Sequence, residues 1–440
     1  MNIESITIQN FRNIGKERTF HLNKHFTAFI GINGKGKSTI LHALRIASGA
    51  YFLGIPRSEV GARHIYPDEI RMVESNYDLV PNFPVNVVAK GKFHGMFNSI
   101  TWRRQWIEGQ SSATTKYSDV GPIKDIAAKQ YERVVKNKEE NVDLPVIAFF
   151  GISRAMGAGR VTEKSKLQKV GRVIFREAYQ DWDEMKSVKF HYREWLARYD
   201  ILFKQGKEYA GTKDAFFTAI MKANPYISQI EFSGGELWVK VKIDDEESNL
   251  LPLSLHSDGV HYFTEMVAEL AYRCIVLNGF KEVKAIEKAT GIVMIDELDL
   301  HLHPKWQRHV VNDLKTAFPN IQFVVTTHSP FIVQSLELSE LVNLDEEVQK
   351  IVTPNELPIN KVITDIMDVD SIKSDDFEKR YKDAKSELEK IENARPDKKL
   401  TMDDYVAVSK LLGQLLEEET DDAVYKAFLE KQKDTDDETN

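Results

Sequence analysis

Residues 31–38 read GINGKGKS, and no other stretch restricts the possible folds so tightly. The string satisfies G-x-x-x-x-G-K-[ST] at each fixed position. It lies between a short apolar run, HFTAFIG, and a segment, STILHALRIASG, that places Ile40, Leu41, Ala43 and Leu44 at helical spacing. A glycine-rich turn between a strand and a helix is the context in which this pattern cradles phosphate. Glycines 31, 34 and 36 let the backbone curl until its N–H groups face inward, and the helix start adds its dipole. Asn33, Gly34, Lys35 and Gly36 would line the curl. Lys37 would bridge the β- and γ-phosphates of ATP, Ser38 would present its hydroxyl to Mg²⁺, and Thr39 stands beside it.

A strand–loop–helix of this kind needs neighbouring parallel strands. IVMIDE (292–297) is an apolar strand that delivers Asp296 and Glu297 to its C-terminal end, where ligands bind in open α/β sheets. Asp296 would hold Mg²⁺ through water and Glu297 would polarise an attacking water. IQFVVTTHSP (321–330) is another buried strand, ending near His328, which could reach a γ-phosphate. A structural histidine is the alternative there. IESITIQNF alternates as a half-buried strand does. FPVNVVAKGKF, NSITWRRQW and LPVIAFFG also read as strands, as do SQIEF and ELWVKVKI. The stretch from 154 to 225 is helical and aromatic, its Trp182, Tyr192 and Trp195 fitting a core better than a base-stacking platform. The chain is therefore α/β, built from two distant stretches.

Two segments could open onto a second phosphate. FSGGE (232–236) is followed by Trp238, Val239, Val241 and Ile243, which are strand formers, so its glycines fit a hairpin turn. LHSDGVH (255–261) is followed by Phe263, Met266, Val267, Leu270 and Ile275 at helical spacing. Only a helix start offers free amides and a dipole to an anion. Ser257 and Gly259 are accordingly the candidates, with a plain Ser/Asp helix cap as the alternative.

Together, NFRN (10–13), the phosphate loop, the DG element, DELDLHLHP (296–304) and TTHSP resemble the stand-alone ATPases of the SMC/RecF-like branch of the ABC superfamily, often labelled AAA-type. The resemblance covers roughly 1–50 and 250–335. It implies an ABC-type ATPase head with a mixed sheet and flanking helices, a helical insertion and a C-terminal helical hairpin. It also implies a homodimer or larger homo-oligomer, in which each ATP lies between the phosphate loop of one subunit and Ser257 and Gly259 of the other. Leu302, His303 and Pro304 match the branch's LHP element, while Asp258 and Val260 depart from the usual glycine and glutamine. Arg12 matches a basic residue near the phosphates, a surface arginine being the alternative. Gln105 and Gln110 both remain open for the glutamine that such sites place near the metal.

The expected divisions are 1–153 and 228–345 for the ATPase lobe, 154–227 for the insertion, 346–432 for a helical extension and 433–440 for a disordered tail. Phe377, Tyr381, Ala384, Leu388 and Ile391 would form one face of the extension's first helix, which Pro396 ends. A net charge of −8, from 67 acidic and 59 basic residues, excludes a general attraction to nucleic acid or anionic membrane. The local exception is 154–176, where Arg154, Arg160, Lys164, Lys166, Lys169, Arg172 and Arg176 face only Glu163. That stretch is a candidate DNA surface, or simply a solvated helix face. One cysteine, Cys274, allows no intrachain disulfide, and no run reaches the roughly 18 apolar residues of a membrane helix. A cytoplasmic home is expected.

No sustained heptads mark a chromosome organiser, and the last hundred or so residues show no βαβ pattern for a nuclease. A short insertion with a helical extension resembles instead the ATPase subunit of two-gene anti-phage systems of the Septu type. That likeness implies a separate HNH-type nuclease as partner. A RecF-like repair ATPase without a nuclease, and a scaffold that binds ATP without hydrolysing it, are the alternatives.

Overall fold

The structure is a computed structural model. It describes residues 1–75, 77–109, 117–155, 174–184, 190–243, 246–345 and 353–371, with 373–379, 382, 383 and 386 beyond them. The chain forms two compact units, Met1–Met367 and Asp368–Asn440. Of the second, the described residues include a short helical stretch at 375–379. The hairpin face expected from Tyr381 to Ile391 lies outside the described residues.

In the first unit the strands predicted from 144, 292 and 321 onward join the strand before the phosphate loop in one sheet. Its order is Leu341–Asn343, Phe26–Ile30, Ile321–Thr326, Gly291–Ile295, Val146–Phe150, and each pairing is parallel. Four of these strands are buried along their whole length. Sequences such as FTAFI and VIAFF suit this, because both faces of a parallel sheet are covered. The alternating strand Asn2–Gln9 lies elsewhere, in an antiparallel sheet with Arg18–His21, Val85–Lys92 and Ile100–Trp106. The fold is mixed α/β, as expected, with the parallel and antiparallel strands kept in separate sheets.

The helix Lys37–Gly49 contacts strands of both these sheets. A helix between two sheets has no solvent face, and only Ser38 and His42 of its residues escape full burial. Trp102 closes its far end by donating Nε1–H to the Ala47 carbonyl at 2.9 Å. The FSGGE segment forms the hairpin that its neighbours predicted. Ile227–Ser233 pairs antiparallel with Glu236–Ile243, and Gly234 and Gly235, at φ of 60° and 82°, make the two-residue turn. Both central residues of such a turn need positive φ, which glycine alone adopts freely. Within the insertion, helices run over Ile174–Tyr179, His191–Lys204 and Thr212–Ala223. Tyr192, Trp182 and Trp195 are core residues there. A helix at Tyr117–Tyr131, with Val120, Ile123 and Ala127 buried, is not legible in the sequence.

Close approach sets one position in the acidic strand. A Cβ added to Gly291 would meet the Val146 carbonyl oxygen at 1.9 Å. Gly291→Ala should therefore push the Gly291–Ile295 strand away from its edge neighbour Val146–Phe150 and destabilise the fold by about 1–3 kcal/mol. An unchanged urea midpoint would contradict this packing.

Candidate functional site

The phosphate loop leaves the sheet at Ile30 and enters its helix at Lys37. Gly34 (φ 88°) and Gly36 (φ 104°) adopt left-handed backbone, which a side chain would oppose. Gly36 precedes the helix with no side-chain cap, so the first amides of the helix stay available to an anion. Lys37 folds over the loop and donates Nζ–H to the carbonyls of Gly31 (2.6 Å) and Ile32 (3.2 Å). Burial pulls its pKa down, while Asp345, Asp296, Glu297 and Asp299 oppose that pull. It is a cation amid carboxylates, and a phosphate would be a further anionic partner for it.

Three strand ends converge beside the loop. Asp296 is buried. Its Oδ1 accepts from the Ser38 hydroxyl at 3.2 Å and from the Thr326 hydroxyl at 2.5 Å. Thr326 Oγ1 in turn accepts the Glu297 amide N–H at 2.7 Å. That bond supports Glu297 in a left-handed conformation, φ 51°, which is uncommon for a non-glycine residue. A hydroxyl and a carboxylate at this separation are the hard oxygen donors that Mg²⁺ takes along with water and phosphate. The residues therefore fit a Mg²⁺–nucleotide.

The next residues along the chain hold one another. Asp299 Oδ1 accepts from the Thr327 hydroxyl (2.6 Å) and from the His328 amide (3.2 Å). Ser329 caps the short helix Pro330–Gln334 and donates to Gln307 Oε1 at 2.6 Å. The His328 side chain is exposed at the same sheet edge.

Arg12 and Asn13 of the NFRN turn meet different partners. Arg12 (φ 50°) turns toward Glu69, with Nε 4.0 Å from Oε1. Asn13 is the residue that touches the phosphate loop, through Gly34 and Thr39. From the opposite side Asp345 accepts the Ile32 amide at 2.7 Å and pairs with Lys35 at 3.8 Å. Asn13, Thr326 and Asp345 do not stand out in the sequence, because each acts through a contact that only the tertiary fold creates. The nearest signal is their position in NFRN, in TTHSP and just after a short apolar run.

Ser257 precedes a helix spanning Asp258–Asn278, and its side chain makes no cap. Ser257 and Asp258 are exposed. A simple Ser cap is thus not the explanation of the serine. Gly259 has an intrachain role: a Cβ there would meet the His301 carbonyl oxygen at 2.4 Å. The rear of the helix is keyed to the insertion by buried charge. Glu265 accepts from Tyr192 Oη at 2.8 Å and pairs with Arg193. Glu269 accepts from the His191 amide at 2.8 Å and pairs with Arg273 at 3.3 Å. Burial alone would raise the Glu269 pKa, but His191, Arg273 and the Tyr192 amide outweigh it and hold it below the usual carboxylate range.

Gln105, an open candidate, is buried, and it donates to Asp119 Oδ2 at 3.3 Å. Gln110 lies outside the described residues, as do the side chains of the 154–176 basic stretch except near its end. There, Arg176 pairs with Glu59 at 3.7 Å and donates to the Ser58 carbonyl at 3.2 Å.

This combination of parallel sheet, glycine-rich loop and acidic strand end defines a nucleotide-phosphate-binding ATPase class. Residues 5–231, more than half of the 440, match the family model described as "AAA domain". The chain belongs to that family. Residues 162–334 match a second model, described as "AAA domain, putative AbiEii toxin, Type IV TA system". The chain is 23% identical to the "Retron Vc95 probable ATPase" of Vibrio cholerae, over 83% of this chain and 78% of that one. It is 30% identical to the "Septu protein PtuA" of Bacillus thuringiensis, over 31% of this chain and 35% of that protein. It thus spans about a third of that relative's length. A structural alignment with the SMC head domain of Thermotoga maritima covers 80% of this chain and 97% of that one, at 15% identity and a TM-score of 0.42. The family model makes the protein an AAA-domain ATPase, similar over part of its length to the retron and Septu proteins.

One group near the loop gives a pH signature. Burial first, then the charges of Arg12, Arg45 and Arg63, pushes the His42 pKa down to about 3. Unfolded, His42 would bind its proton near pH 6.5. The unfolded state therefore takes up more protons below that pH, and the folded state loses stability as pH falls from about 6.5, by up to roughly 1.4 kcal/mol per unit. His42→Gln should flatten this limb in denaturation curves between pH 6.5 and about 4. An unaltered slope would contradict it.

Proposed function

We propose that the chain is a dimeric, Mg²⁺-dependent ATPase that senses or binds DNA and regulates a partner nuclease of the HNH type in anti-phage defence. The observation that carries the ATPase reading is the approach of the Ser38 hydroxyl to Asp296 Oδ1, 3.2 Å, beside a glycine-rich loop and an uncapped helix start. In this reading Asn33, Gly34, Lys35, Gly36 and Thr39 line the phosphates. Lys37 exchanges its two loop carbonyls for phosphate oxygens. Ser38 and Asp296 hold Mg²⁺, which when bound neutralises phosphate charge. Glu297 orients the attacking water, and His328 faces the γ-phosphate. Arg12 adds positive field from the loop's flank.

Dimerisation is supported by the second open helix start. Ser257 is exposed and leaves its own helix uncapped, so its hydroxyl and the following amides could meet the partner subunit's ATP. The defence role is supported by the likeness to the Septu and retron proteins; the nuclease partner is what the resemblance to two-gene Septu-type systems implies. DNA contact through 154–176 belongs to the proposal, and Arg176 within it already pairs with Glu59. Among the described residues no helix is long and apolar enough to cross a membrane.

Lys37→Ala should abolish nucleotide binding in calorimetry; retained affinity would mean that the loop does not take phosphate. Ser257→Arg should keep ATP binding by single subunits but lose ATP-dependent dimer closure, followed by light scattering. Closure that survives would move the partner contact elsewhere. Co-purification with the products of adjacent genes, followed by nuclease assays with and without ATP, tests the regulatory role. Nuclease activity indifferent to both ATP and Glu297→Gln would overturn it.

A further inference from the structure

Asn13 stands outside the G-x-x-x-x-G-K-[ST] pattern, yet it contacts that loop at two places. Its Nδ2 donates to the Gly34 carbonyl at 2.5 Å. Its Oδ1 accepts from the Thr39 hydroxyl at 2.7 Å. One amide thus spans from the crown of the loop to the first turn of the helix behind it. The fit is close: a Cβ added at Gly36, between those two points, would meet Asn13 Oδ1 at 3.1 Å.

Asn13 is itself held. Its carbonyl accepts from Arg71 Nη1 at 2.5 Å. The backbone of the turn is pinned on both sides, by Arg12 N–H to the Glu69 carbonyl at 2.7 Å and by Phe11 N–H to the Ile14 carbonyl at 2.9 Å. Glu69 is buried and pairs with Arg63 at 2.6 Å, so the strut rests on a fixed support. The loop needs such a strut. All three of its glycines, 31, 34 and 36, have positive φ and impose little conformational restriction of their own. Amides that must point together at a phosphate bind better when the curl is set before the ligand arrives.

We propose that Asn13 is a positioning residue for the phosphate loop: it holds the curl formed around Gly34 and Gly36 and ties it to the segment at 69–71. This rests on the reading of the loop as a nucleotide-phosphate site. An Asn amide can donate to a carbonyl and accept from a hydroxyl at once. Asp in its place keeps only the acceptor, and Ala keeps neither.

The test is calorimetric titration of MgATP into the full chain as wild type, Asn13→Ala, Thr39→Val and the double variant, with melting temperatures taken without nucleotide. Two lost hydrogen bonds predict binding weaker by about 5- to 100-fold for Asn13→Ala. They predict a melting temperature little changed and a double variant whose loss is smaller than the product of the two single losses, since both substitutions break the same link. If Asn13→Ala does not fold, Asn13→Asp is the second probe, with a comparable loss expected. Affinity unchanged in Asn13→Ala, or losses that multiply fully in the double variant, would overturn the proposal. A large fall in melting temperature with MgATP affinity retained would make Asn13 a purely structural residue and would overturn it equally. Failure of the wild type to bind MgATP would instead refute the nucleotide reading itself, and so separates the two.

Discussion

One carboxylate oxygen organises the centre of this molecule. Asp296 Oδ1 is reached by hydroxyls from two other elements, Ser38 at the start of the loop helix and Thr326 at the end of the next strand. A buried carboxylate is costly unless hydrogen bonds compensate it. The compensation works only if three chain segments end at one level. Parallel pairing sets that level: Ile295 lies opposite Val325, and Val325 opposite Ala28. One residue further along, Asp296 and Thr326 come into register, and the loop curls back to bring Ser38 over them. Replacing Gly291 would disturb this arrangement from the other end of the same strand, where the Val146 carbonyl leaves no room.

The second open helix start is built by the opposite means. The front of the Asp258–Asn278 helix is exposed and uncapped, while its rear carries Glu265, Glu269 and Arg273, all fully buried. Their partners come from the insertion: His191, Tyr192, Arg193 and the carbonyls of Ala178 and Gln180. Gly259 adds a backbone contact to the turn at His301, itself at φ 64°. The helix is thus fixed to both the insertion and the segment that follows the acidic strand. A movement of either would reach the serine at its tip.

Much of this is legible in the sequence because the signals are local. Continuous apolar runs identify the parallel strands, and alternation identifies Asn2–Gln9. Strand propensity assigns FSGGE to a hairpin against its resemblance to a phosphate-binding string, and glycines at φ 60° and 82° agree. The site residues of the loop and acidic strand come from patterns whose spacing encodes their chemistry. What is not legible is contact between distant residues. Nothing near position 13 signals that its amide meets Gly34 and Thr39, and nothing near 326 signals that one hydroxyl serves both Asp296 and Glu297. The family resemblance points to Arg12 in that turn, and the loop contact belongs to its neighbour. The Tyr117–Tyr131 helix carries a proline, Pro122, within its first turns, which weakens its helical pattern.

In the proposed function Ser38 and Asp296 together would hold the metal of a nucleotide seated on the loop. Calorimetry of ATP, with Mg²⁺ and with EDTA, on the wild type and on Asp296→Ala tests it most directly. Mg²⁺ should strengthen ATP binding to the wild type, and Asp296→Ala should abolish this difference while the variant still binds ATP through the loop. Equal strengthening by Mg²⁺ in both proteins would contradict it.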